Sequence, residues 1–565
     1  MNTWNLSPLL NQKEYTETEK TVLNYFFTNI DKNIYCAKNT LSSQLWAFLM
    51  GQYSRTHISL RDRFLQLFKD AKKALDKGVI DESDYVSLED LANDINNDNK
   101  NSLEFFENKA SNFLKKWWVQ FGHNSLKDAD RIRYAIEWIS QVFTKVIEAP
   151  FPALWDFQEK STRYIPFGKE NLIIPNEVKN SKYWKEIIAL NNKFIDVYED
   201  SLVKVKKALV KNNIFKKEAF GSERAYENTL IAKTFDICRY LLPSSVSTSL
   251  GASFSTRTLE AHLTHMLSHP LSEIRMIAQT MHKEWLKLSP GLLKHVWENE
   301  FKKLSRQKTT TETEKMIVKY SDKELKIHKW IKDSDRVNII HEWDLDSNIL
   351  ASCLFERGRK SGISYNESLE IVSKMSKEEK ENLMNACLWD RGQFDRMPRA
   401  LQHTSVMLEF LVDFGAYRDL QRHRASQQLW QWASSIHGYD YPEMMELDGM
   451  EEFKKNYDGI MMESVKLGKK ILEENIYLLE YTCALGHLIR TTFEMNPGQV
   501  AYVIELRTTP QWHHSYRNLF IETYNQISEV APIFAKHIRV GNKLDKDGRK
   551  KQEEIEEKNR KKLGL

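Results

Sequence analysis

The order of short motifs along this chain runs twice. A strongly polar stretch from Phe301 to Lys332, centred on Thr309-Thr310-Thr311-Glu312-Thr313-Glu314, divides the 565 residues, and each side holds a segment that is chemically incomplete alone. In the first, Gln158-Glu159-Lys160-Ser161-Thr162-Arg163-Tyr164, carboxylate, hydroxyl and guanidinium alternate at period two. That period puts Glu159, Ser161 and Arg163 on one face of an extended strand. In the second, Gln421-Arg422-His423-Arg424-Ala425-Ser426, three potential cations are consecutive, which suits phosphate oxygens. A chain of this length exceeds the size at which one hydrophobic core keeps growing, so at least two domains are expected.

Apolar residues recur at three and four from Leu41 to Phe68 and from Phe105 to Val146, which predicts amphipathic helices. Gly78 to Lys100 is rich in Asp, Asn and Ser and is expected to be a surface excursion, an insertion over about 78–100. Ile147 to Pro166 reads as strand or extended loop, and Tyr183 to Val210 as long helix. From Tyr226 to Glu284 the pattern gives a helix, a break at Pro243 with a Ser/Thr/Gly-rich loop, and a second helix from about Thr258 to His269. Helical periodicity resumes at Trp343, and the largely apolar run Thr404 to Leu420 leads into the Arg422 cluster. The expected units are 1–305, a polar linker 306–335, a second unit 336–542 and a charged tail 543–565.

A net charge of +4 is small for this length, which favours small anionic ligands over nucleic acid. No apolar run approaches the ~20 residues of a membrane span. Met1 to Lys20 lacks the layout of a secretory signal, and Cys36, Cys238, Cys353, Cys387 and Cys483 show no CxxC spacing, so a cytoplasmic protein with reduced thiols is expected. His513-His514 beside Trp512 and Tyr516 lacks a third ligand at usable spacing and is read as packing or interface, not metal. His262, His265 and His269 read first as a helix face.

The two incomplete segments together resemble the flavin-dependent thymidylate synthases, whose signature runs as one block: Arg-His-Arg, four variable residues, then a polar-Glu-x-Ser-x-Arg tail. Here the block is divided between the halves. Phe151-Pro152-Ala153 stands where the first copy should carry Arg-His-Arg, and Trp430 to Ser434 where the second should carry Glu-x-Ser-x-Arg. Other motifs are divided too. Asp236 to Pro243 resembles the family's Ala-Arg-x-x-Leu-Pro segment with Arg239 in the arginine place, whereas Leu479 to Leu485 has Glu480 there, which would repel a phosphate. Ser255-Thr256-Arg257 and Asn496-Pro497-Gly498 each keep part of an Asn-x-Arg segment, and only the second half follows it with Leu506-Arg507. Gly122-His123-Asn124-Ser125 resembles a flavin-contacting turn, and Ser54 to Arg61 an early Ser-Arg segment.

The resemblance implies an α+β fold of two tandem, helix-rich units, each with a mixed sheet, paired as a pseudo-dimer with one composite site and one vestigial one. It implies reductive methylation of dUMP to dTMP, with FAD as cofactor and NADPH and methylenetetrahydrofolate as co-substrates. By resemblance Arg507 is the catalytic residue. Glu159, Ser161, Arg163, Arg239 and Arg422 contact dUMP; His123, Arg257, His423, Arg424 and Asn496 contact FAD. No metal, nucleic acid or membrane partner is implied, and the expected assembly is a homodimer of pseudo-dimers. The family's glutamine three residues before its first signature arginine is Asp419 here, with Gln421 nearby. That departure leaves two alternatives, a non-catalytic flavin or nucleotide-binding homologue and an enzyme modifying another pyrimidine nucleotide.

Overall fold

A computed structural model describes residues 14–31, 36–53, 59–99, 101–102, 104–105, 108, 126–148, 155–163, 165–288, 296–320, 336–340, 344–358, 360–388, 391–392, 395–472, 474–509 and 512–541. It is helix-rich with two small sheets. Helices α1 (Glu17–Phe26), α2 (Ser43–Tyr53), α3 (Leu60–Asp76) and α4 (Leu88–Asn96) come first and enclose a small core of their own, with Phe26, Phe64 and Leu91 buried in it. Within 78–100, expected as a surface excursion, helix α4 forms. Ser87 and Asp90 form a capping box that starts it, and its Leu91 and Ala92 are buried.

Next come β1 (Arg131–Ser140), α5 (Gln141–Ile147), β2 (Trp155–Glu159), α6 (Trp184–Lys211), α7 (Glu223–Cys238), β3 (Ser247–Ser255), α8 (Thr256–Leu267), α9 (Ser272–Leu286) and α10 (Glu300–Tyr320). After β4 (Val337–Ile339) and α11 (Leu345–Arg357), the order returns: β5 (Val406–Asp413), α12 (Phe414–Leu420), β6 (Gln427–Trp430), α13 (Glu451–Leu472), β7 (Leu488–Met495), α14 (Pro497–Arg507) and α15 (His514–Val530). The sheets have strand orders β1-β3-β2 and β4-β5-β7-β6. Among the described residues every strand pairing is antiparallel, where a mixed sheet was expected. The polar stretch after Phe301 is helical to Tyr320; 321–335 and the tail beyond 541 lie outside the described residues.

Matching positions do matching work in the two halves. Ser140 ends β1 and caps α5; Asp413 ends β5 and caps α12, and each of these helices has 7 residues. Ser255 caps the helix after β3 and Asn496 the helix after β7. One core holds both halves, Phe194 and Ile237 lying in the same cluster as Tyr457 and Ile489. Backbone joins them as well: Ser244 N donates to Cys483 O at 2.9 Å, Leu485 N to Leu242 O at 2.8 Å and Gly486 N to Tyr240 O at 2.9 Å. Gly486 permits this approach, since a Cβ there would lie 3.0 Å from the Tyr240 carbonyl oxygen.

Candidate functional site

The functional segments meet where β2 of the first half lies against α12 and the turn after it. Asp413 Oδ1 accepts from Ala416 N at 2.8 Å, starting the short helix that carries Arg418 and Asp419 toward Arg422. Arg418 pairs with Glu159 at 2.7 Å and donates to Thr162 Oγ1 at 3.3 Å, and Arg424 Nη1 donates to Asp156 Oδ1 at 2.5 Å. Lys145 Nζ donates to Gln421 Oε1 at 2.9 Å. Glu159 is buried, which alone pushes its carboxyl up. Arg418, Lys145 and Arg422 outweigh that and hold it below the usual carboxylate range.

Four arginines act on one carboxylate. Burial pushes Asp419 up, but Arg422, Arg239, Arg507 and Arg163 outweigh it and hold the group charged. Two of these cations come from the first half and two from the second. Arg422 Nε stands 3.7 Å from Asp419 Oδ1, and its side chain is partly open to solvent. Arg163 is committed elsewhere, Nε and Nη2 donating to the two oxygens of Asp236 at 2.6 and 3.1 Å. Arg239 is buried, and its Nε and Nη2 have no hydrogen-bond partner among the described residues. Leaving such donors unsatisfied costs about 1–3 kcal/mol or more, so an anion there is favoured.

Arg507 sits at the C-terminal end of α14 between two rings, its guanidinium carbon 4.2 Å from the Trp512 centroid and 4.8 Å from that of Tyr516. Its Nε donates to His423 Nε2 at 3.0 Å, and Tyr516 Oη lies 3.1 Å from the same nitrogen. Nε2 therefore accepts, and the ring carries its proton on Nδ1. Burial, then Arg507, pushes the His423 imidazole down to about 3.

Several expectations change at this level. Strand β2 ends at Glu159 and Thr162-Arg163 form a turn, so the alternation does not continue. Glu159 faces inward to Arg418, and Ser161 Oγ accepts from Arg163 N at 3.2 Å. His423 is buried and bracketed by Arg507 and Tyr516, which does not fit a flavin-cradling role. Asn496 Oδ1 accepts from Gln499 N at 2.8 Å as the cap of α14, leaving its amide as the group a ligand can reach. Arg257 is exposed and paired with Asp128 at 3.0 Å. His123 lies outside the described residues. Glu480 is buried, and burial, then Glu273, push its carboxyl well above the usual carboxylate range. Arg424, like Arg257, is partly open to solvent and paired with a carboxylate, Asp156 in its case.

Sequence reasoning missed Arg418, Asp236 and the central place of Asp419. One signal was available: Lys145 and Arg418 stand at the same offset from the helix caps Ser140 and Asp413, so both point into the contact between halves.

Among known proteins, residues 80–291 match the family model described as thymidylate synthase complementing protein. The UPF0159 protein of Chlamydia pneumoniae is 24% identical over 535 residues, covering 93% of this chain and 94% of the relative. That of Thermoplasma acidophilum is 20% identical over 465 residues, covering 76% and 88%. Among solved structures, the UMP/dUMP methylase PolB of Streptomyces cacaoi, bound with 5-Br dUMP, aligns at 10% identity with a TM-score of 0.28, covering 36% of this chain and 93% of that one. The flavin-dependent thymidylate synthase ThyX of Helicobacter pylori, complexed with FAD and dUMP, aligns at 15% identity with a TM-score of 0.25, covering 36% and 100%. The likeness to the thymidylate synthase complementing protein family thus spans residues 80–291 of this chain.

Proposed function

We propose that the protein is a flavin-dependent thymidylate synthase whose one complete nucleotide site is built by both halves, read as tandem copies joined near 306–335. The observation that carries this reading is the gathering of Arg163, Arg239, Arg422 and Arg507 around Asp419. The unused donors of Arg239 take the nucleotide phosphate, with Arg422 at the open edge of the cluster. Arg507 is pre-oriented by His423, Trp512 and Tyr516, so it can stabilise charge that develops on the pyrimidine without reorganising. Arg424 and Arg257 would hold FAD, which when bound would supply the redox and one-carbon chemistry that draws on NADPH and methylenetetrahydrofolate. Lodged among four cations, Asp419 orders the guanidinium groups and offers only an acceptor to a base.

Tritium release from C5-labelled dUMP with methylenetetrahydrofolate and NADPH tests the proposal. Turnover by the wild type and its loss in Arg507→Ala are expected; turnover unchanged by that substitution contradicts it. A second reading, a non-catalytic nucleotide-binding homologue, is favoured by the commitment of Glu159 to Arg418 and of Arg163 to Asp236. Tight dUMP and flavin binding without tritium release would select it.

A further inference from the structure

Both ring nitrogens of His513 are buried without a hydrogen-bond partner among the described residues, the same condition as Arg239 Nε and Nη2. An imidazole has a donor and an acceptor, and leaving both unmet in a protein interior is costly. Its position is fixed. It precedes α15, whose Ser515 Oγ donates to Asp413 Oδ2 at 2.6 Å, and its ring centroid lies 5.5 Å from that of Tyr240 and 4.6 Å from that of His514.

Resting on the reading that Arg239 takes a nucleotide phosphate, we propose that His513 is a second ligand of that phosphate, taking up a proton from solvent as the dianion binds. The groups facing it are Arg239 and Tyr240 from the turn after α7, Asp236 from α7, Arg163 from the turn after β2, and His514 from its own helix. In the free protein, burial, then Arg239 and His514, push the imidazole well below its ordinary value. The one carboxylate among those groups, Asp236, is occupied by Arg163. Among the groups just named, none is left to balance a protonated ring until an anion arrives. A phosphate monoester brings a charge of about −1.5 to −2 and three acceptor oxygens, enough for His513 and Arg239 together. The balance is simple: one proton moves from buffer to a ring nitrogen, and no bond of the nucleotide breaks.

Calorimetric titration of the full-length protein with dUMP at pH 7.5, in buffers of different ionisation enthalpy, tests this. At that pH the phosphate is already largely dianionic, its second pKa being about 6. About one proton taken up per dUMP is expected for the wild type. His513→Gln should show uptake near zero and binding roughly ten- to a hundredfold weaker. Tight wild-type binding with no uptake overturns the inference however the variant folds, and leaves the proposed function standing. Unchanged uptake in His513→Gln assigns the proton to another group and also overturns it. No dUMP binding by the wild type removes both proposals.

Discussion

Arg418 and Glu159 are both almost fully buried, so their pairing is costly to break on one side only. Arg418→Met leaves a buried carboxylate without its main partner and should cost about 3–5 kcal/mol in urea unfolding. The double substitution with Glu159→Gln should recover much of that; equal losses in the single and double variants would contradict the pairing. His423 gives a pH signature. Its folded value is pushed down to about 3, below the ordinary His value near 6.5. The stability it contributes is therefore present above pH 6.5 and lost as pH falls toward 3. His423→Gln should flatten the acid limb of stability against pH by up to about 1.4 kcal/mol per pH unit. The cations of the site were legible in the sequence, because Arg-His-Arg and the arginine of Arg239-Tyr240-Leu241 are chemically unusual runs. Their partners were not: Asp236, Asp419 and Arg418 are ordinary helix residues until folding brings them to the cluster.

Helix α14 links two named residues. Asn496 caps its start, and Arg507 closes its last turn about 16 Å away. Asn496→Ala should cost about 1 kcal/mol of stability in thermal or urea unfolding and lower turnover more than it lowers dUMP affinity, because Arg507 loses its fixed placement. Turnover and affinity falling together would argue against a positioning role. The strands were the least legible elements. In β1 the register shifts between Glu137 and Ile139, with Trp138 at φ 57°, so Ile132, Ile136, Ile139, Phe143 and Val146 follow one another at a helix-like four, three, four, three spacing. The bulge disguised a strand as a helix. Strand β3 was hidden because Ser247 to Ser255 is made of small residues apart from Leu250 and Phe254. The long helix α6 posed no such problem, its buried residues recurring at helical spacing from Ile187 to Leu209.

The two halves share one core and pair backbone at Tyr240–Ser244 and Cys483–Gly486. Residues 336–542 expressed alone should therefore lack a cooperative unfolding transition, and a sharp transition for that piece would contradict the shared core. If the chain replaces a pair of subunits, light scattering should give an assembly of twice the 66.6 kDa chain mass. The recurrence of element order was legible in the sequence because similar short motifs stand in the same order on either side of the polar stretch after Phe301. The separate core of α1 to α4 was not, since nothing in its periodicity distinguishes it from the helices that follow. The most direct test of the composite site is its stoichiometry. Calorimetric titration with dUMP should give one site per 565-residue chain, abolished alike by Arg239→Ala in the first half and Arg422→Ala in the second. Two sites per chain, with one surviving each substitution, would contradict the account.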